Sequence, residues 1–201
     1  MDKQPAWEKL KQDCETFTQQ TYPDDAAAFV FGEGNLDADI FMIGEAPGHH
    51  EVQQKRPFVG QAGANLNEFL VFLGLNRPQL YVTNTVKLQT TRQSTTTTNR
   101  VNRTPDRFEV RNYHPFLRAE LELIRPKFVL TLGNIALQGI LQDFSANIGA
   151  YHGNPQILRD YGMESVLFPL YHPASVIYNR KLKDVYFEDL QCFKRIYELA
   201  K

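Results

Sequence analysis

The sequence predicts an α/β fold: a single domain with a central, mostly parallel four-stranded sheet and helices on both faces. Two observations carry this. Short apolar runs alternate with segments of helical period, which implies parallel strands joined by crossover helices. Each strand-like run also ends in a glycine or polar corner. In such sheets ligands bind beyond the carboxyl ends of the strands, so those corners are where function is expected.

Residues 1–37 are read as a helical lead-in. Ala38–Gly44 (ADIFMIG) is a short apolar run ending in glycine, hence a buried strand. In Ala62–Leu73, Leu66, Phe69, Leu70 and Leu73 fall at i, i+3, i+4 and i+7, a helix face that Gly74 stops. Leu80–Val86 is β-branched and strand-like. Residues 88–104 are a long polar loop. Pro105–Ile124 reads as a helix with Phe108, Phe116, Leu117, Leu121 and Ile124 on its apolar face and a kink at Pro115. Lys127–Gly133 is a third strand, Asn134–Leu141 a short helix and Ser165–Leu170 a fourth strand. Asp184–Leu199 closes the chain as an amphipathic helix, with Phe187, Leu190, Phe193 and Leu199 facing inward.

The 201 residues are 42% hydrophobic and 22% charged, so a packed core is expected and disorder is not. Apolar runs such as Phe41–Ile43 are far below the ~20 residues of a membrane span. The first residues carry no signal-type apolar stretch, and the expectation is a cytoplasmic protein without membrane contact. A formal net charge of −1 excludes a histone-like binder but not a local basic patch. One is present: residues 87–118 carry Lys87, Arg92, Arg100, Arg103, Arg107, Arg111 and Arg118 against Asp106 and Glu109. Such a patch attracts phosphates by releasing their counterions. The two cysteines, Cys14 and Cys192, form no CxxC, so thiol redox and zinc-ribbon readings lack support. His49 and His50 are adjacent, which does not converge ligands on one ion, and no metal is expected.

One string is highly specific. Gly44-Glu45-Ala46-Pro47-Gly48, then Glu51, then Arg56-Pro57-Phe58-Val59-Gly60-Gln61-Ala62-Gly63, resembles the first signature of the uracil-DNA glycosylase superfamily in its family-four branch. The likeness continues in order through Asn84-Thr85-Val86-Lys87, Asn102-Arg103-Thr104-Pro105 with Glu109, Arg125-Pro126-Lys127 to Ala136, and His172-Pro173-Ala174-Ser175. The resemblance implies an enzyme that flips uracil out of DNA and hydrolyses its N-glycosidic bond, leaving an abasic site. It implies a monomer acting on single- or double-stranded DNA that contains uracil.

The same resemblance distributes the roles. Glu45 and His172 are the catalytic candidates. Glu45 activates water or stabilises the sugar cation, although the best-known branch uses an aspartate one position further on, where this chain has Ala46. A histidine at 172 can hydrogen-bond the carbonyl on which charge develops. Ala46, Pro47, Gly48, Phe58 and Asn84 would bind the base. Phe58 stacks on it, and the Asn84 amide reads its edge with one donor and one acceptor group. Gly63, Lys87, Arg100, Asn102, Arg103, Ser175 and Tyr178 would contact DNA. Glu51 orients the loop.

Three departures qualify the likeness. Family four holds an iron–sulfur cluster on four cysteines; the matching positions here are Cys14, Phe17, Leu88 and Tyr113, so no cluster and no other cofactor is expected, and apolar packing fills the space. A sister branch has a similarly long loop bearing a nucleophilic histidine; Asn102 falls there, which excludes covalent trapping of the sugar. Val52 replaces the second acid of a pair, and Tyr178 an arginine. The missing cluster and the broken pair leave a second reading, a non-catalytic binder of damaged or modified bases. A third, an unrelated nucleotide-binding enzyme, has no GxGxxG or GxxxxGK[ST] behind it.

Overall fold

The chain opens with helix α1 (Gln4–Thr21), and a short strand β1 (Glu33–Gly34) follows. Strand β2 (Ile40–Gly44), helices α2 (His49–Gln54) and α3 (Gln61–Leu73), and strand β3 (Leu80–Asn84) come next. A hairpin of β4 (Thr91–Gln93) and β5 (Arg100–Asn102) leads into α4 (Arg107–Ile124), β6 (Phe128–Leu132) and α5 (Asn134–Leu141). The chain ends with α6 (Ile148–Tyr151), β7 (Gln156–Leu158), β8 (Ser165–Leu170), α7 (Pro173–Tyr178) and α8 (Lys181–Leu199). This computed structural model describes residues 2–96, 98–178 and 181–200, without the side chains of 177, 178 and 181. Among the described residues no helix is long and apolar enough to cross a membrane.

The strands order β1-β3-β2-β6-β8-β7. The four expected strands are the centre of the sheet, and all four run parallel. The expected count of four is corrected to six, because β1 and β7 add antiparallel at the two edges. Each edge strand is too short, at two and three residues, to carry a readable period. Side chains alternate across the sheet. Ile40 and Met42 face α3 and α8, while Phe41 and Ile43 face α4 and α5. From β2 the chain moves first to β3 on one side, then to β6 on the other. That reversal opens a crevice beyond the carboxyl ends of the central strands.

Several local expectations need correction. The polar stretch 89–102 forms the β4–β5 hairpin, in which Thr91 pairs with Asn102 and Gln93 with Arg100. Threonine suits a strand, and Thr90 Oγ1 donates to the Arg103 carbonyl at 2.6 Å to close the base of the hairpin. Helix α4 spans Arg107–Ile124 with Pro115 inside it. Phe108, expected in its apolar face, is 75% exposed. The buried stripe is Val110, Tyr113, Leu117, Leu121 and Ile124, and two residues back from Val110 a helix has turned about 200°. Leu199 of α8 is 89% exposed for the same reason, being nine residues, or half a turn in phase, from buried Leu190.

A third apolar cluster lies between α1, α4 and the chain leaving β3. Cys14, Leu88 and Tyr113 are buried in it, and Phe17 packs on Tyr113 edge-on at 5.7 Å. These are the four positions at which the resemblance implies cluster ligands. Here they offer a single thiol, whose ionisation burial opposes. The side chains present do not fit a four-thiolate group.

Lys87 is not a DNA contact: its side chain is fully buried and forms an ion pair with Glu120, also fully buried. Its ammonium donates to Thr83 Oγ1 at 2.7 Å and to the Asn84 carbonyl at 2.6 Å. Glu120 Oε1 also accepts from the Tyr81 hydroxyl at 2.9 Å and from Thr83 Oγ1 at 3.0 Å, and Tyr81 accepts from the Trp7 indole at 2.8 Å. Removing one member of a buried pair strands the other charge, which costs about 3–5 kcal/mol. Lys87→Met is therefore expected to lose that much stability in urea titration, and Lys87→Met/Glu120→Gln to recover at least half. Equal midpoints for wild type and Lys87→Met would contradict the pairing.

Candidate active site

The corners after β2, β3 and β8 meet in one crevice. Its first half, a cavity of about 330 Å³, is lined by Ala46, Gly48, Phe58, Gln61, Asn84, Asn102 and His172, among others. The second half, about 320 Å³, is lined by Glu45, Pro47, Thr90, Arg103 and Ser175 and shares Ala46, Asn102, His172 and Ala174 with the first. Phe58 and Asn84 thus face one half, Glu45 the other, and His172 both.

Gly44 ends β2 against Asn84 and Phe58 of the first half. A Cβ there would overlap both the Asn84 carboxamide oxygen and the tip of the Phe58 ring. Only glycine lets an amide and an aromatic face converge above the end of β2. Asn84 is buried and its side chain has no hydrogen-bond partner among the described residues, leaving a donor and an acceptor free. Its backbone is fixed by the Lys87 ammonium beneath it. Phe58 is buried, with its ring 6.3 Å from the His172 ring and tilted by 32°. Its φ of +54° lies in the left-handed region, at a cost of about 1–2 kcal/mol.

Glu51 holds the surrounding loops. Its carboxylate accepts from the backbone N–H groups of Val59 at 3.1 Å, Gly60 at 2.8 Å and Gly48 at 3.2 Å. It is spent on structure and unavailable as a base.

His172 follows β8, and its ring Nδ1 accepts from the Ala174 N–H at 3.2 Å. The proton of the neutral ring therefore sits on Nε2. Burial lowers its pKa to about 4, so the ring is a neutral donor at physiological pH. Gly133, at φ +91°, turns the chain after β6 close against the His172 side chain. Glu45 is shifted the other way: burial raises its carboxyl pKa, and a hydrogen bond with the Thr104 side chain partly opposes this. A carboxylate made more basic by burial is suited to positioning or deprotonating water.

The remaining expected contacts divide. Asn102 bridges the two halves, with its side-chain oxygen accepting from Gln89 Nε2 at 2.8 Å, and Ser175 is exposed at the rim. Arg103 lines the second half, yet its guanidinium is committed: it grips Glu109 at 2.7 and 2.6 Å and donates to the Thr91 carbonyl at 3.2 Å. It ties the hairpin to α4 and keeps 32% of its side chain exposed at the crevice. Arg100 points to Asp25 at 3.2 Å, outside the crevice. Gly63 packs closely, since a Cβ there would overlap the Phe58 carbonyl. The Tyr178 side chain lies outside the described residues. Gln61 and Thr90 also line the crevice and Thr104 bonds to Glu45, three residues to which the sequence assigns no role, although Gln61 and Thr104 sit inside the recognised strings.

The shift at His172 has a stability consequence. Its folded pKa is depressed, so the unfolded chain binds the proton first as pH falls. Stability from this group is present above about pH 6.5 and is lost as pH falls toward about 4. Between about pH 6.5 and 4.5 wild type is expected to lose ~2 kcal/mol more than His172→Gln, read from urea midpoints. Parallel losses in both proteins would place the ring in solvent.

The comparisons with known proteins agree with the geometry. Residues 31–198 match the family model of the uracil DNA glycosylase superfamily. The type-4 uracil-DNA glycosylase of Sulfurisphaera tokodaii is 35% identical over 175 residues, covering 85% of this chain and 74% of that protein. That of Saccharolobus solfataricus is 35% identical over 169 residues, 82% and 74% of the two chains. The Archaeoglobus fulgidus protein of the same name is 36% identical over 175 residues, 86% and 82%. With a family match across most of its length and a crevice built from the family's ordered motifs, this chain belongs to the uracil DNA glycosylase superfamily.

Proposed function

We propose that this protein is a monofunctional DNA-repair glycosylase that extrudes uracil from DNA and hydrolyses its N-glycosidic bond. The observation that carries the reading is one cavity that gathers an unpartnered buried amide and an aromatic ring, both packed against Gly44, with a neutral histidine 6.3 Å from that ring. A flipped base needs a stacking face, an edge reader and a donor at the oxygen that gains charge.

In this reading the uracil ring stacks on Phe58 and pairs with the Asn84 amide. The bond between the sugar C1′ and N1 of the base breaks, and the electron pair leaves with the uracil. His172 donates from Nε2 to the carbonyl oxygen on which that charge settles, without itself being a cation. Glu45, across the crevice, stabilises the oxocarbenium-like sugar and directs a water to C1′; as the water oxygen bonds to C1′, its proton passes to the Glu45 carboxylate and the abasic site forms. Asn102 and Ser175 at the rim and the β4–β5 hairpin, with Arg92 exposed, engage the backbone of the DNA. The reading extends to a monomer, one domain over residues 1–201, in the cytoplasm, acting on single- or double-stranded DNA. Asn102, with no nucleophilic side chain, forms no bond to the sugar, and no cofactor takes part.

The test is incubation with single- and double-stranded oligonucleotides containing uracil, then alkali to cleave abasic sites. Strand scission is expected. None at stoichiometric protein, with retained binding, would favour a base-recognising protein without catalysis. His172→Ala is expected to slow single-turnover base release roughly 100–1,000-fold, ~3 kcal/mol, while changing affinity for the uracil-containing DNA far less. Equal losses in rate and affinity would reduce His172 to a positioning role.

A further inference from the structure

We propose that Arg77, outside the crevice and outside every recognised motif, is a positioning residue that holds the base-stacking ring of Phe58 in place. The inference rests on the glycosylase reading above. Phe58 adopts a left-handed φ of +54°, a conformation that its own side chain disfavours and its surroundings must impose. The peptide groups on both of its sides are gripped. Arg77 Nη2 donates to the Pro57 carbonyl on the amino side at 2.8 Å, and Nη1 to the Phe58 carbonyl on the carboxyl side at 3.0 Å. Also on the carboxyl side, Glu51 Oε1 accepts from the Val59 and Gly60 N–H groups. One cation thus takes two successive carbonyls and one anion the next two amides, a planar fork for the first pair and a carboxylate for the second.

Two features make this grip specific. Gly63, in the first turn of α3, lies directly against the Phe58 carbonyl, so that oxygen has helix backbone beside it and Arg77 as its donor. Arg77 is itself anchored. Its side chain is 22% exposed and sits 3.6 Å from Glu33 on β1, the carboxylate that also receives Arg56 through Nε and Nη2. The edge strand thereby supports the loop whose ring faces the crevice, while Arg77 lines the outer surface behind it with Val59 and Gly63. A stacking platform must be held before the base arrives, because ordering it during extrusion would subtract from the energy available for the reaction.

The test compares Arg77→Met, which keeps the stem and removes both donors, with Arg77→Lys, which retains a single point donor. Arg77→Met is expected to slow single-turnover uracil release roughly 10- to 100-fold and to weaken inhibition by free uracil, with affinity for abasic DNA unchanged. Arg77→Lys should recover part of the loss. In a Phe58→Ala background, Arg77→Met should have no further effect on release, since the ring it positions is gone. Additive losses in that cycle, or wild-type release by Arg77→Met, would overturn the proposal. Hydrogen exchange at the Val59 and Gly60 amides gives a readout that needs no activity. Faster exchange in Arg77→Met supports the grip, and unchanged exchange refutes it. No release by wild type would overturn the glycosylase reading alone, and the exchange measurement would still decide the role of Arg77.

Discussion

The buried ion pair of Lys87 and Glu120 is the constraint on which the rest of the molecule depends. It joins the turn after β3 to the middle of α4, and through Tyr81 and Trp7 it reaches α1. Gly32 is pressed so closely on Glu120, Tyr81 and Thr83 that a side chain there would collide with all three. Burying two charges brings little net stability unless every donor and acceptor is used, and here each ammonium and carboxylate contact is satisfied by neighbours. The return is geometric. The ammonium fixes the Asn84 carbonyl, so the amide that faces the crevice projects from a backbone that cannot shift.

The crevice above it follows a related logic. Its groups are kept out of water, which drives His172 toward its neutral form and Glu45 toward higher basicity. Opposite shifts in neighbouring groups separate a donor from a base without a change in either residue type. The charges that build the site are bound to its frame: Glu51 and Arg77 hold the Phe58 loop, and Arg103 pairs with Glu109 at the foot of the hairpin.

Beside the crevice, this chain departs from the pattern that the family-four resemblance implies. Where the family-four pattern implies four thiolates, α1 and α4 are joined by Phe17, Tyr113, Leu88 and a buried Cys14, with the Tyr113 hydroxyl 2.9 Å from Thr18 Oγ1. Aromatic packing performs the joining that a cluster would otherwise supply. Tyr22 stacks on Tyr113 at 6.0 Å and Phe116 approaches Phe17 at 5.2 Å, extending the cluster along α4.

The sequence by itself determined the parallel core, the helices between its strands and the corners that line the crevice, because apolar periodicity and glycine placement are local properties. Glu45, Ala46, Pro47, Gly48, Phe58, Asn84, Asn102, His172 and Ser175 were legible there as an ordered set. What only the tertiary structure decided is the fate of the charges. Lys87 reads as a surface cation until Glu120, 33 residues later, is placed against it. Arg103 gives no sign in the sequence of its grip on Glu109, and Arg77 reads as nothing until two carbonyls some 20 residues earlier fall within its reach. A long flexible cation carries no local signature of its partner. Its role is set by which acceptor the fold brings within hydrogen-bond distance and by how much water remains there.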